Sequence, residues 1–257
     1  MSDVLLIENQ GRVRLLTFNR PTAKNAFNDD LYDATRDALI AAAEDPSVAV
    51  VVLTGAEGAF SAGQDLSEMG KARTPEQAAS SGFMPFVDTL QSFPKPLIAA
   101  VNGVAVGIGV TMLLHCDLVF ASERARFRAP FVSLGIAAEA GSSTLFPERL
   151  GWQNTAHMLF TSAFVSASEA VEMGLVWRSF PDERLLVEVL GYAGQIAAMP
   201  VASLVENKQL LLGSRVPRVL EARPREEAAL ARVVGGPANR EAIAAFMEKR
   251  EPDFSGL

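Results

Sequence analysis

The sequence predicts a mixed α/β fold with a helical C-terminal region, and three observations predict it. Short apolar runs of strand length recur through the first ~180 residues. Two of these runs end in glycine and lead into small-residue loops of the same layout, about 40 residues apart. After Asp182 the text is almost all helical. Strands first and helices last suggest a mixed core followed by a helical region. The division expected is a core over residues 1–195 and a helical region over 196–257.

Taken in order, Val4 to Ile7 and Val13 to Phe18 read as two strands around a turn at Asn9-Gln10-Gly11. Arg20-Pro21 ends the second, and Thr22 to Phe27 is a polar loop. Asn28 has the chemistry of an N-cap for a helix from Asp29 to Glu44, with acids in its first turn. Leu31, Ala34, Ala38 and Ala42 fall near helical spacing. Val48 to Thr54 reads as a buried strand. Glu68 to Arg73 is polar, the place for a mobile loop over a pocket. Thr74-Pro75-Glu76-Gln77 resembles a capping box, opening a helix to about Phe93 with Phe83, Phe86, Val87 and Leu90 on its apolar side.

Lys95 to Val101 reads as a further buried strand, broken at Asn102-Gly103. Val104 to Leu114 reads as a glycine-rich loop opening into a buried helix. Asp117 to Phe120 and Ala125 to Phe127 are short strands, and Pro130 to Ser143 is loop-rich before a helix near Thr144. Trp152 to Phe160 and Ala167 to Met173 read as helices and Leu175 to Phe180 as a strand. Breaks in the helical text are expected near Pro200, Gly213 to Pro217 and Gly235-Gly236-Pro237.

Composition narrows the function. A net charge of −7 argues against a nucleic-acid binder, while an anionic small ligand stays open because local Lys and Arg can gather at it. No apolar run reaches the ~18 residues of a membrane span. No secretory signal is read at Met1-Ser2-Asp3-Val4, and Ser255-Gly256-Leu257 misses the peroxisomal Ser-Lys-Leu address. The expectation is a cytoplasmic protein. The single cysteine, Cys116, sits in an apolar run as a core residue. No Cys/His cluster has metal-ligand spacing, and His115 and His157 read as packed or surface histidines, so no metal is expected.

A strand that ends in glycines and starts a helix points unpaired N–H groups at whatever lies above, a place that favours negative charge. Gly107-Ile108-Gly109 is not a dinucleotide motif, because Met112 stands where the third glycine belongs. Upstream, Val50 to Gly55 leads into Ala59-Phe60-Ser61-Ala62-Gly63-Gln64-Asp65-Leu66. The Phe-x-x-Gly-x-Asp-Leu segment followed by Asn-Gly-x-x-x-Gly-x-Gly resembles the crotonase, or enoyl-CoA hydratase/isomerase, superfamily. The likeness covers nearly the whole chain. It includes Asn19-Arg20-Pro21 with Lys24-Asn25-Ala26, Cys116-Asp117-Leu118, Gly174-Leu175-Val176 and Phe246-Met247-Glu248-Lys249-Arg250.

The resemblance implies a spiral of ββα units, with C-terminal helices that build a homotrimer or a dimer of trimers. It implies an acyl-CoA thioester as substrate, with coenzyme A part of that substrate and no further cofactor. The thioester oxygen would sit between the amides of Gln64 and Ile108. Lys24, Ala26, Ala62, Gly63, Asp65, Leu66 and Gly107 would line the CoA-thioester site, with Thr111 and Phe131 beside the acyl group. Phe246 and Lys249 would reach the CoA adenine region of a neighbouring subunit. The two glutamates of the family's hydratases fall at Thr111 and Phe131, so both are absent. Glu139, eight residues after Phe131, resembles the catalytic base of peroxisomal-type Δ3,Δ2-enoyl-CoA isomerases. One carboxylate suits a shift of a double bond from the 3,4 to the 2,3 position. The alternatives are a hydratase that uses Glu139 alone, another reaction of the family such as thioester hydrolysis or decarboxylation, and an inert CoA-binding protein.

Overall fold

A computed structural model of the chain describes residues 4–66 and 82–257. It opens with a hairpin, β1 (Leu5–Gln10) against β2 (Val13–Phe18). Helix α1 (Asp29–Glu44) follows, capped as expected by the Asn28 side chain, which accepts the Leu31 N–H at 3.2 Å. Strand β3 (Val50–Gly55) is buried along its whole length. An unbroken apolar run suits a parallel strand covered on both faces. Val51 and Leu53 enter the larger core, while Val50 and Val52 enter a second core on the other face.

The chain then repeats one pattern: a strand in a first sheet, a glycine turn, a short strand in a second sheet, a helix. The strand pairs are β3 with β4 (Ala59–Ser61), β5 (Leu97–Val101) with β6 (Val104–Val106), and β7 (Leu118–Ser122) with β8 (Arg126–Arg128). Helix α2 (Phe83–Ser92) closes the first of these turns, and α3 (Ile108–Thr111), continued by a 3-10 turn over Met112–His115, closes the second. The third leads through a 3-10 turn at Val132–Leu134 to α4 (Ser142–Leu150) and α5 (Trp152–Thr161). Next come β9 (Val165–Ser166), α6 (Ala167–Glu172), β10 (Arg178–Phe180) and α7 (Asp182–Ala197).

The first sheet has six strands in the order β1-β2-β3-β5-β7-β10, and the second has four in the order β4-β6-β8-β9. Strands from successive turns run parallel, and β1 and β9 end the two sheets as antiparallel partners. The turn between sheets demands glycine at residue 103, where a Cβ would lie 1.9 Å from the carbonyl oxygen of Gly58. Its neighbour Asn102 stitches two turns of the spiral: its side chain accepts the Gly55 N–H at 3.2 Å and donates to the Gly55 oxygen at 2.7 Å. Helix α7 covers the outer face of the first sheet with Leu185, Val189, Ala193 and Ala197. Past Ala197 the chain turns by 102° into α8 (Val201–Val233), and α9 (Pro237–Glu248) ends the helical region. Among the described residues no single helix is long and apolar enough to cross a membrane.

Several expectations need correction. The helical text does not break at Gly213 to Pro217: α8 runs 33 residues and contains both Pro217 and Pro224. Each internal proline costs about 3 kcal/mol, so something must hold the helical path. Side-chain anchors along it do so. Lys208 Nζ donates to the Lys95 oxygen at 2.6 Å and to Asp117 Oδ2 at 2.8 Å. Arg215 donates to the Leu114 oxygen, and Arg223 to Asp88 and Gln91. Val104 to Val106 is a strand rather than loop, because β4 and β8 flank it in parallel. The first strand extends to Gln10, so its turn falls one step later, at Gly11-Arg12. The last strand covers only Arg178–Phe180, with Leu175 and Val176 packed in the core before it. The polar loop expected at Glu68 to Arg73 and the helix start at Thr74 lie outside the described residues.

Candidate active site

The second sheet positions the site. Its strands β4, β6 and β8 are parallel, so their C-terminal ends and the loops that follow share one edge. Open parallel sheets collect ligands at such an edge. The loop after β4 holds Gly63-Gln64 and the loop after β6 holds Gly107-Ile108. Both glycines are in the left-handed region, Gly63 at φ 94° and Gly107 at φ 54°. The two loops touch: a Cβ on Gly63 would stand 2.8 Å from the Val106 oxygen, and one on Gly107 would stand 3.9 Å from the Gly63 Cα. Two glycines about 40 residues apart in the chain thereby bring the N–H groups of Gln64 and Ile108 to one place.

Both N–H groups are free of structural duty. Phe27 bridges the first loop, donating to the Gly63 oxygen at 2.7 Å and accepting from Asp65 N–H at 2.9 Å. Those bonds use the peptide groups on either side of Gln64, so its own N–H faces the opposite edge. Ile108 is the first residue of α3 and has no acceptor one turn back. Among the described residues neither N–H has an acceptor. The Tyr32 hydroxyl donates to Gln64 Oε1 at 2.8 Å and holds that side chain.

The Lys24–Phe27 stretch lies along the same loop. Ala62 N–H donates to the Lys24 oxygen at 2.9 Å. Arg20 pairs with Asp65 at 2.9 Å and also donates to the Ala26 oxygen. Asn25, fully buried, donates to the oxygens of Ala56 at 3.0 Å and Ala59 at 2.8 Å, so this motif residue is a buttress. Lys24 is exposed, Ala26 is buried, and Ala62, Asp65 and Leu66 are half-buried. The chain thus lays the Lys24–Phe27 stretch against the Ala62–Asp65 loop, and that loop against Gly107.

Thr111 ends α3, one turn after Ile108, and is fully buried. Its hydroxyl donates to Glu139 Oε1 at 2.6 Å. The second oxygen of Glu139, Oε2, is shut off from solvent and has no hydrogen-bond partner among the described residues. Burial pushes this carboxyl up to about 8, the Thr111 bond pulls the other way, and the negative charge of Glu226 pushes it further up. A carboxyl held near neutral pH is what proton transfer requires. Phe131 is buried in the same core cluster as Ile108. Among the described residues no three His, Cys, Asp or Glu side chains gather where they would hold a metal ion.

Phe246 and Lys249 are the site candidates that the single chain keeps apart from this cluster. They are exposed at the end of α9, which packs on the Val132–Leu134 turn through Asn239, whose side chain donates to the Leu134 oxygen at 2.8 Å. Sequence reasoning missed Tyr32 and Glu226, and read His115 as a packed or surface histidine, which the structure finds buried. Tyr32 stands 32 positions from Gln64 and Glu226 85 from Gly141, and no local pattern marks either contact.

Comparison with known proteins places the chain in a family. A family model described as enoyl-CoA hydratase/isomerase matches residues 8–256. The chain is 39% identical over 254 residues to the 2,3-dehydroadipyl-CoA hydratase of Escherichia coli (strain K12), covering 98% of each chain. It is 40% identical over 211 residues to the enoyl-CoA delta isomerase 2 of Rattus norvegicus, covering 80% of this chain and 54% of that protein. It superposes with a TM-score of 0.91 on the crystal structure of an enoyl-CoA hydratase/isomerase from Pseudoalteromonas atlantica T6c, at 37% identity, over 98% of this chain and 100% of that one.

Proposed function

The chain belongs to the enoyl-CoA hydratase/isomerase family, and from that premise we propose that it is a Δ3,Δ2-enoyl-CoA isomerase with Glu139 as its single base. The thioester oxygen accepts from the Gln64 and Ile108 amides. Oε2 of Glu139 takes a proton from the α-carbon, and the electrons move into the thioester to form a dienolate. The two N–H groups stabilise that oxyanion, each being worth roughly 3–4 kcal/mol of barrier. The same carboxyl then returns the proton to the γ-carbon, which leaves a 2,3 double bond and regenerates the carboxylate. Lys24, Ala26, Ala62, Asp65 and Leu66 hold the CoA portion. The reaction needs no cofactor beyond the CoA carried by the substrate.

The observation that carries this reading is the state of Glu139: one oxygen is held by Thr111 and the other is buried and unbonded. Thr111 and Phe131 offer no second base, since a neutral hydroxyl and a phenyl ring accept no proton near neutral pH. Hydration needs an activated water as well, which one carboxylate serves less readily. The full-length likeness to a hydratase keeps hydration as the second reading.

The test supplies a 3-enoyl-CoA and a 2-enoyl-CoA separately and follows mass and ultraviolet absorbance. Isomerisation keeps mass and consumes the 3-enoyl substrate. Glu139→Gln keeps shape and removes the proton acceptor. Its turnover should fall by orders of magnitude, thioester binding should survive, and exchange of α-protons with deuterated water should fall in step. Near-wild-type isomerisation in Glu139→Gln would sink the proposal. Rapid hydration of the 2-enoyl substrate, with the 3-enoyl one left untouched, would install the hydratase reading in its place.

A further inference from the structure

The turn that carries Glu139 is strained. Ala140 has φ 60° and Gly141 φ 73°, two consecutive residues in the left-handed region. For Ala140 that conformation is strained and persists only where the surroundings hold it. His115 holds one side, its Nε2 lying 2.9 Å from the Ala140 oxygen. Glu226 holds the other. This glutamate on α8 is buried, with Oε2 accepting the Gly141 N–H at 2.7 Å and Oε1 accepting the Ser143 N–H at 2.8 Å. Helix α4 has no side-chain cap of its own at Gly141. A carboxylate from a distant helix fills the cap position, where the helix N-terminus favours negative charge. Two turns back along α8, Val219 Cγ1 stands 2.7 Å from where a Cβ on residue 141 would lie, so the turn is wedged against that helix.

We propose that Glu226 is the positioning residue for Glu139: by clamping Gly141 and Ser143 it fixes the strained turn that delivers one carboxylate oxygen to Thr111 and leaves the other unbonded. The proposal rests on Glu139 being the proton carrier. It gives the C-terminal helix a part in the chemistry without contact to the substrate. The charged and titratable groups around the turn are His115 from the 3-10 turn, Arg149 from α4, and Arg215, Arg223 and Glu226 from α8. Burial, with the Arg215 charge adding to it, pushes His115 down to about 3, so it is neutral here. Burial is the main cause of the raised Glu139 carboxyl, and the negative charge of Glu226 adds to it. Removing its charge therefore moves the acid limb of the rate profile to lower pH.

The experiment measures kcat, KM and the pH profile with a 3-enoyl-CoA. Glu226→Gln turns one acceptor into a donor that faces an N–H. It should leave KM within about twofold and lower kcat roughly 10- to 100-fold. Its acid limb should move down in pH. Glu226→Asp keeps the charge, so the limb returns toward its wild-type position with intermediate kcat. Glu227→Gln, at the exposed neighbouring position, should behave as wild type. In a Glu139→Gln background, Glu226→Gln should cause no further loss. A wild-type kcat and limb in Glu226→Gln overturn the proposal, as does a loss shared between kcat and KM with the limb unmoved. If Glu226→Gln does not fold, Glu226→Asp decides, and a wild-type kcat there overturns it. An active Glu139→Gln condemns the isomerase reading, whereas an inactive Glu139→Gln beside a wild-type-like Glu226→Gln condemns the clamp alone.

Discussion

Glu139 ties catalysis to stability through one proton. Burial raises its carboxyl from 4.5 to about 8 in the folded chain. Between those values the unfolded chain has released the proton and the folded chain still holds it. Unfolding is therefore favoured progressively as pH rises through that window, and the contribution is fully present only below the unfolded value. Glutamine at 139 never ionises. Wild type and Glu139→Gln should melt together near the acid end, at about pH 4.5, and the variant should be the more stable by about pH 8. Paired thermal melts across that range check this, and a constant gap between the two curves would show that the carboxyl is not held protonated. The sequence exposed this residue through the family resemblance, which a short local stretch around Glu139 carries. The Thr111 hydroxyl that holds it lies 28 positions away. At the sequence level Thr111 was visible only as a missing glutamate.

At the scale of elements, two glycine loops on parallel neighbouring strands make the pair of free amides. The Phe27 bridge uses the peptide groups beside Gln64 and leaves its N–H unused. A proline at 64 thus removes a donor from the site and no structural backbone bond, and like alanine it gives up the Tyr32 contact. Gln64→Ala gives up the Tyr32 contact but keeps the donor. Gln64→Pro should turn over a few hundred-fold more slowly than Gln64→Ala, the rate equivalent of ~3–4 kcal/mol. Circular dichroism would confirm that both are folded. Equal rates in the two folded variants would remove Gln64 from the oxyanion assignment. The loops themselves were readable, since each is a glycine signal at the end of an apolar run. Val104 to Val106 escaped because three residues between Gly103 and Gly107 carry no period of their own; only β4 and β8 alongside make them a strand. Pro217 misled for a related reason. Proline penalises a helix locally, and the anchors at Lys208, Arg215 and Arg223 that overrule it are long-range contacts.

For the whole molecule, the single chain leaves two site candidates, Phe246 and Lys249, exposed and large apolar side chains uncovered. Trp152 is 75% exposed, Leu210 77% and Met247 74%, and Leu211 and Phe160 are close behind. They lie on α5, α8 and α9, in the second half of the chain. Burying such groups is worth about 1.5–3 kcal/mol each, so copies of the chain have reason to associate through these helices. Phe246 and Lys249 stand exposed at the end of α9. The family resemblance implies that, where copies meet there, they reach a neighbour's CoA, so that each site would be completed by two chains. We therefore expect light scattering to give three or six times 27.5 kDa. We also expect a Phe246→Ala, Lys249→Ala double variant to raise KM for the thioester while leaving kcat nearly unchanged, because the groups touch the nucleotide end and not the reacting carbons. A stable monomer that binds CoA tightly would refute the shared site. A trimer whose double variant keeps the wild-type KM would leave the assembly standing and remove these two residues from the CoA contact.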